Sequence, residues 1–219
     1  MYDKEFYDKD YYENGIETNK SCYVDYKWMP QMTLELADGI QKYLQLDGDD
    51  TILDYGCAKG YLVKAMRMLN INAFGCDISE YAISKVEDDI KAYCHCINTN
   101  ESIFLRDSYN WLMTKDVLEH MKEDDIDDLL TQAHRYVDKM FHIIPLGISE
   151  NRFVIPEYHY DLSHIQIQTR EWWNNKFEQC GWNITKFDYK VKNIKENWTS
   201  KYEEGNGFFV LEKTISKVV

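Results

Sequence analysis

The run Ile52-Leu53-Asp54-Tyr55-Gly56-Cys57-Ala58-Lys59-Gly60 constrains what this chain can fold into more than any other stretch. An apolar, β-prone segment ends in an acid and a Gly-x-x-x-Gly loop, after which Leu62, Ala65, Met66 and Leu69 recur at helical spacing. Strand, tight loop and helix therefore follow one another. Without Cβ atoms, Gly56 and Gly60 permit unusual backbone angles and a close approach to a ligand at the carboxyl end of a strand, where open α/β sheets bind. Asn72 to Ile78 reads as the next strand, and Asp77 closes it. A carboxylate about 20 residues on, at the second strand tip, is where a nucleoside-binding βαβ unit accepts hydrogen bonds from ribose hydroxyls. The pyrophosphate fingerprint G-x-G-x-x-G is not met, because Ala58 holds the middle position and Asp54 sets a negative charge just before the glycine. That arrangement repels a diphosphate and admits an ammonium-bearing nucleoside.

The rest of the chain continues the alternation. Thr33 to Leu46 is helical by Leu36, Ala37, Ile40, Tyr43 and Leu44, and Asp47-Gly48-Asp49-Asp50 turns into the first strand. Ser79 reads as the N-cap of a short helix through Ala82, Ile83 and Val86, and Tyr93 to Asn98 as a third strand. Trp111 to Val117 is a fourth, running into Asp116-Val117-Leu118-Glu119-His120. An amphipathic helix spans Asp124 to Val137, its first turns crowded with acids that the helix dipole favours. Met140 to Ile144 is strand five. Residues 148–168 show no clear period, and long irregular loops of this aromatic kind are usually functional. Thr169 caps a helix with Gly181 at its C′ position, and Trp182 to Val191 and Gly207 to Lys213 finish as two strands.

Asp54-Tyr55-Gly56-Cys57-Ala58-Lys59-Gly60, Asp77-Ile78 and Asp116-Val117-Leu118-Glu119-His120, in that order and spacing, resemble the class I S-adenosylmethionine (SAM) dependent methyltransferases, particularly their small-molecule branch. The usual loop has glycine where Ala58 stands. The resemblance implies a Rossmann-like α/β sandwich around a seven-stranded, mostly parallel sheet with an antiparallel last strand. It further implies SAM as cofactor, held by Asp54, Gly56, Cys57, Ala58, Gly60, Asp77 and Ile78, with Asn98 at the adenine and Asp116 and Val117 beside the methionine part. Residues 51–219 would form the SAM-binding domain. Residues 1–50 precede it, rich in Tyr2, Phe6, Tyr7, Tyr11, Tyr12, Tyr23, Tyr26 and Trp28, and read either as an aromatic lid with a helix or as a segment simply packed on the domain.

Charge narrows the acceptor. With a formal net charge of −13 over 219 residues, the chain is a poor match for nucleic acid, whose binding rests on Lys and Arg. No apolar run approaches the ~20 residues of a membrane span, and a cytoplasmic setting is expected. The six cysteines form no C-x-x-C pair and read as reduced thiols, most of them in the core. For an alcohol acceptor a base matters, and histidine suits it. His164, oriented by Asp161, is the first candidate and His120 the second, whereas His95, His134 and His142 sit in regular elements and receive no role. A metal is not expected, because the spacing of Asp116, Asp161 and the nearby histidines is not diagnostic. The tyrosine-rich entry and the Asp161-Leu162-Ser163-His164 segment look similar to methyltransferase modules of glycan-assembly systems, some fused to glycosyltransferases. A sugar hydroxyl of a glycan is the expected acceptor. A phenol or quinone-like molecule comes next, and a SAM-binding interaction domain without turnover is the third reading.

Overall fold

A computed structural model of the chain describes residues 3–98 and 101–214; Tyr2 of the aromatic N-terminus lies outside them. Among the described residues nine strands form, β1 (Thr51–Tyr55), β2 (Asn72–Asp77), β3 (Cys94–Cys96), β4 (Tyr109–Lys115), β5 (Val137–Pro145), β6 (Gly147–Ser149), β7 (Arg152–Phe153), β8 (Trp182–Asp188) and β9 (Asn206–Lys213). Helices α1 (Lys9–Glu13), α2 (Pro30–Leu44), α3 (Tyr61–Met68), α4 (Glu80–Ser84), α5 (Glu123–Ala133), α6 (Arg170–Gln179) and α7 (Glu196–Thr199) are interleaved with them. Seven strands make one sheet in the order β3-β2-β1-β4-β5-β9-β8, and β6 and β7 pair apart from it. The first five run parallel, and β9 lies antiparallel to both β5 and β8. This is the seven-stranded, mostly parallel sheet expected from the sequence, and strand order reverses between β1 and β4, where open α/β sheets bind ligands.

Burial on both faces dictates the strand composition. Ile52 faces the layer of α2 and α3, while Leu53 and Tyr55 face the layer of α5 and α6. In β5 Phe141 and Ile143 join the first layer, and Met140 and Ile144 the second. Such two-sided burial explains the continuous apolar runs, each large side chain contributing roughly 1.5–3 kcal/mol. Helix α6 anchors the second layer through Trp173 and Phe177, and Trp182 donates its indole N–H to Leu130 O at 2.9 Å. The expected caps form, Ser79 accepting from Ala82 N and Thr169 from Trp172 N. Among the described residues no helix is long and apolar enough to cross a membrane.

Several boundaries differ from the sequence reading. Helix α5 stops at Ala133, and Val137 opens β5 because Tyr136 turns its carbonyl to Tyr109 N at 2.8 Å. Strand β3 is only three residues long, and β4 ends at Lys115, leaving Asp116 and Val117 just beyond its tip. The irregular stretch after β5 contains β6, β7 and a 3₁₀ turn over Pro156–Tyr160. Of the cysteines, Cys57, Cys76 and Cys94 are buried, whereas Cys22 and Cys96 are exposed.

Gly75 in β2 shows how tightly the cleft-bearing loop sits on the sheet. A Cβ there would lie 2.7 Å from both Cβ and Sγ of Cys57 and 2.9 Å from Val63 Cγ2. Gly75→Ala is therefore expected to lower stability by about 1–3 kcal/mol, read from the urea midpoint. An unchanged midpoint would mean that the loop is free to shift.

Candidate functional site

A cleft of about 550 Å³ opens at the carboxyl edge of the parallel strands, lined by the tips of β1, β2 and β4, the N-terminal segment and the loop before α6. Eight of the ten residues expected to hold the cofactor line it: Asp54, Gly56, Cys57, Ala58, Asp77, Ile78, Asp116 and Val117. Gly60 and Asn98 do not. Gly60 starts α3 at φ +72°, and the space a Cβ would need there is taken by Cys94 and Ile90. Asn98 is exposed and its backbone N–H donates to Glu101 Oε2, which leaves it as a turn residue. Gly56 is also shaped by protein as much as by any ligand, since a Cβ at its φ of +82° would meet Val117 Cγ2 at 2.4 Å. The glycine between acid and loop lets the β1 and β4 tips close on each other.

Three neighbouring strand tips each carry a buried or half-buried carboxylate, and each is handled differently. Asp77 accepts the backbone N–H of Ala58 on Oδ2 and of Ser79 on Oδ1, both at 2.8 Å. These bonds lock the glycine loop to β2, and burial still raises the carboxyl above its ordinary range. Asp54 is 3% exposed, and burial, opposed by Lys115 and helped by the Asp77 charge, pushes its pKa up to about 7. Asp116 is shared by Lys115, at 2.6 Å, and Lys195. Burial pushes its carboxyl up, but the two ammonium groups outweigh that and hold it below the usual carboxylate range. Ala58, Asp116 and Lys195 all adopt left-handed backbone, with φ of 50°, 55° and 52°. Non-glycine residues pay about 1–2 kcal/mol for that geometry, and their gathering around one cleft is typical of a working site. At Ala58 the methyl group packs beneath the N-terminal aromatics, which glycine could not do.

Those aromatics roof the cleft. Tyr7, Tyr11, Tyr12, Tyr23 and Tyr26 line it, with Tyr11 edge-on to both Tyr7 and Tyr12 at 5.1 Å. The roof is fastened by Lys59 of the glycine loop, which pairs with Glu13 at 2.6 Å and donates to Tyr26 O at 2.5 Å. Ser79 donates to Tyr7 O, and Tyr81 to Glu13 Oε1.

The three candidate catalytic residues all reach the cleft, but their pairing differs from expectation. Asp161 does not orient the His164 ring. His164 Nδ1 donates to Tyr158 O at 2.6 Å, while Asp161 Oδ1 accepts the Ser163 hydroxyl at 2.5 Å and its Oδ2 accepts Tyr11 OH at 2.8 Å. Because the Ser163 proton is spent on Asp161, its oxygen accepts from His120 Nδ1 at 2.8 Å. Asp161 thus acts on His120 through one hydroxyl, and Nε2 of His120 keeps the lone pair. Burial, then the neighbouring His164, lowers the His120 pKa to about 4, so the imidazole is neutral at pH 7. The loop is held in place by Ile165 N and Gln166 N, which both donate to Glu119 O at 2.9 Å. Sequence reasoning gave no catalytic or binding role to Lys59, Ser163 or Lys195. Lys59 had a signal, a lone cation inside a glycine loop, whereas Lys195 sits in a polar connection without pattern.

Removing the shared carboxylate tests the charge arrangement. Asp116→Asn leaves Lys115 and Lys195 without their common partner and is expected to cost about 3 kcal/mol in denaturant unfolding. A loss below about 0.5 kcal/mol, the scale of an ordinary surface change, would show that the two lysines do not depend on it.

No curated protein matches the chain. A chain of the "complex between the Haloferax volcanii Trm112 methyltransferase activator and the putative methyltransferase" is similar at TM-score 0.65 and 12% identity, over 87% of this chain and 93% of that one. A SAM-dependent methyltransferase from Clostridium acetobutylicum is similar at TM-score 0.58 and 12% identity, over 82% and 91%. The pyocyanin biosynthetic protein PhzM is similar at TM-score 0.59 and 13% identity, over 84% of this chain and 55% of that one. These likenesses agree in the fold. The methyltransferase-domain family matches residues 29–187, most of the chain and all of β1 to β5. With that match, the chain belongs to the methyltransferase-domain family and is an enzyme whose cofactor is SAM.

Proposed function

We propose that the chain transfers a methyl group from SAM to a sugar hydroxyl of a glycan, with His120 as general base. The observation that carries this reading is the Asp161–Ser163–His120 relay, which delivers a neutral imidazole with a bare Nε2 into the cleft. The residues present fit the cofactor. A buried Asp54 whose charge burial suppresses calls for a cation such as an α-ammonium, and tyrosine faces suit a sulfonium. Asp77, fixed by two backbone N–H groups, keeps lone pairs for a ribose diol. Cys57, Ala58 and Ile78 would flank the nucleoside, and Asp116 and Val117 its methionine part.

When bound, SAM supplies a methyl carbon made electrophilic by a positively charged sulfur. His120 Nε2 would take the proton of an acceptor hydroxyl placed beside it in the cleft. The tyrosines ahead of α2 serve as the lid, excluding water and offering ring faces to a sugar. An acidic, aromatic surround favours a neutral acceptor over a phosphorylated one. The proposed setting is the cytoplasm, beside a glycosyltransferase activity that shares the polypeptide chain in some of the systems this chain resembles. A small phenol is the second reading, favoured by the aromatic roof and by the likeness to PhzM.

Incubation with labelled SAM and panels of glycans, phenols and amines should yield a product 14 mass units heavier only with hydroxyl acceptors, ~14 being one CH₂ added per transfer. His120→Gln should lower kcat about 10²- to 10⁴-fold with SAM affinity retained; an unreduced kcat removes it as base. Asp77→Ala should weaken SAM binding at least about tenfold, as the loss of a charged hydrogen bond of ~2 kcal/mol requires.

Proton linkage gives an independent reading of Asp54. Its carboxyl is half protonated near pH 7, and an ammonium partner favours the ionised form. SAM affinity should therefore rise as pH increases towards 7 and level off above it, with a proton released on binding at pH 6. Calorimetry in two buffers of different ionisation enthalpy measures this, and proton uptake would rule the pairing out.

A further inference from the structure

We propose that Glu119, His120 and His164 form a binding site for one divalent cation in the cleft. The atoms these three side chains can offer all lie within 4.8 Å of one another, with Glu119 Oε1 and His164 Nε2 4.0 Å apart and the imidazole centroids separated by 4.6 Å. An ion about 2.0–2.2 Å from each ligand would draw them together by roughly an ångström, within reach of small side-chain rotations.

An independent observation is the state of Glu119. It is fully buried, and neither carboxyl oxygen has a hydrogen-bond partner. A buried carboxyl is expensive to leave unsatisfied, and such a group in a native fold calls for an explanation. A cation between it and the two rings supplies one. Both imidazoles are already held as metal-binding histidines are, by an outer hydrogen bond on the other ring nitrogen. His164 Nδ1 donates to Tyr158 O, and His120 Nδ1 donates to Ser163 Oγ, itself bound to Asp161. Each leaves Nε2 with its lone pair. The carboxylate and the first ring come from the 3₁₀ turn Leu118–His120 after β4, the second ring from the loop that Ile165 N and Gln166 N pin to Glu119 O.

Two nitrogens and one oxygen suit borderline ions such as Zn²⁺, Co²⁺, Mn²⁺ or Fe²⁺ better than Mg²⁺ or Ca²⁺. Three protein ligands leave coordination positions open towards the cleft, where an acceptor hydroxyl would bind. Lys115 and Lys195 stand nearby, but they share Asp116, which leaves one net positive charge against the ion. The catalytic consequence rests on the cleft being the methyl-transfer site. With an ion bound, His120 Nε2 would be a ligand and could not also take the proton; the coordinated hydroxyl would instead lose it to bulk water before the tyrosine roof closes. The binding itself does not depend on that reading.

Full-length protein stripped with chelator and titrated with Co²⁺, followed by visible absorption and calorimetry, is expected to bind one ion per chain. Glu119→Gln and His164→Gln should each weaken that binding by at least about tenfold, with circular dichroism confirming that each variant is folded. No binding, or equal binding in both folded variants, overturns the site. Methyl transfer that is lost on chelation and restored by Co²⁺ or Mn²⁺ supports the Lewis-acid role. Transfer that is indifferent to chelation overturns that role and returns proton removal to His120. Failure to bind SAM would instead defeat the methyl-transfer reading, and the cobalt titration would still report on the site.

Discussion

Carboxylates carried at adjacent tips of β1, β2 and β4 are the constraint on which the rest of the structure depends. Charge taken out of water must be bonded, paired or suppressed. The chain uses all three remedies within one cleft: backbone N–H groups for Asp77, two lysines for Asp116 and a raised pKa for Asp54. Each remedy fixes a different piece of backbone. The first sets the glycine loop, the second brings the connection before β9 to the sheet edge through Lys195, and the third leaves Asp54 in the cleft wall with its charge suppressed.

Around that edge the helices serve mainly as walls. Helices α2 and α3 cover one face and α5 and α6 the other, so the strands are buried on both sides and their carboxyl ends open onto the cleft. The acids of α5 are used twice over, at the helix start and in holding α6, because Glu123 and Asp127 both pair with Lys176 at 2.7 Å. The cleft is accordingly shaped by loops standing on a rigid base.

Much of this was legible in the order of residues. Continuous apolar, β-prone runs and period-3.6 patterns located the parallel strands and their helices, and the acid-glycine loop marked the edge where the cleft opens, because both are local consequences of chain geometry. What escaped was tertiary. Val137 matched a helical face as well as a strand start, and only its pairing with β4 decided between them. Asn98 had the right place in the chain, but its N–H turned back to Glu101 and the side chain stayed outside the cleft. Asp161 and His164 are close in sequence, yet the aspartate addresses His120 through Ser163, a choice made by how the loop folds over the Leu118–His120 turn. Lys195 and Tyr11 reach the same centre from opposite ends of the chain, where no spacing rule connects them.

The hydrogen bond from Tyr11 to Asp161 makes the roof and the imidazole relay a single mechanical unit. Lifting α1 from the sheet would carry that phenol away and leave Asp161 with Ser163 as its remaining side-chain donor, so an open entrance and a fully braced imidazole are mutually exclusive arrangements. On the proposed reading of this segment as a lid and His120 as the base, covering the reactants and readying the catalyst would be one event, and a reactive cofactor exposed to water would meet a site that has not yet been assembled.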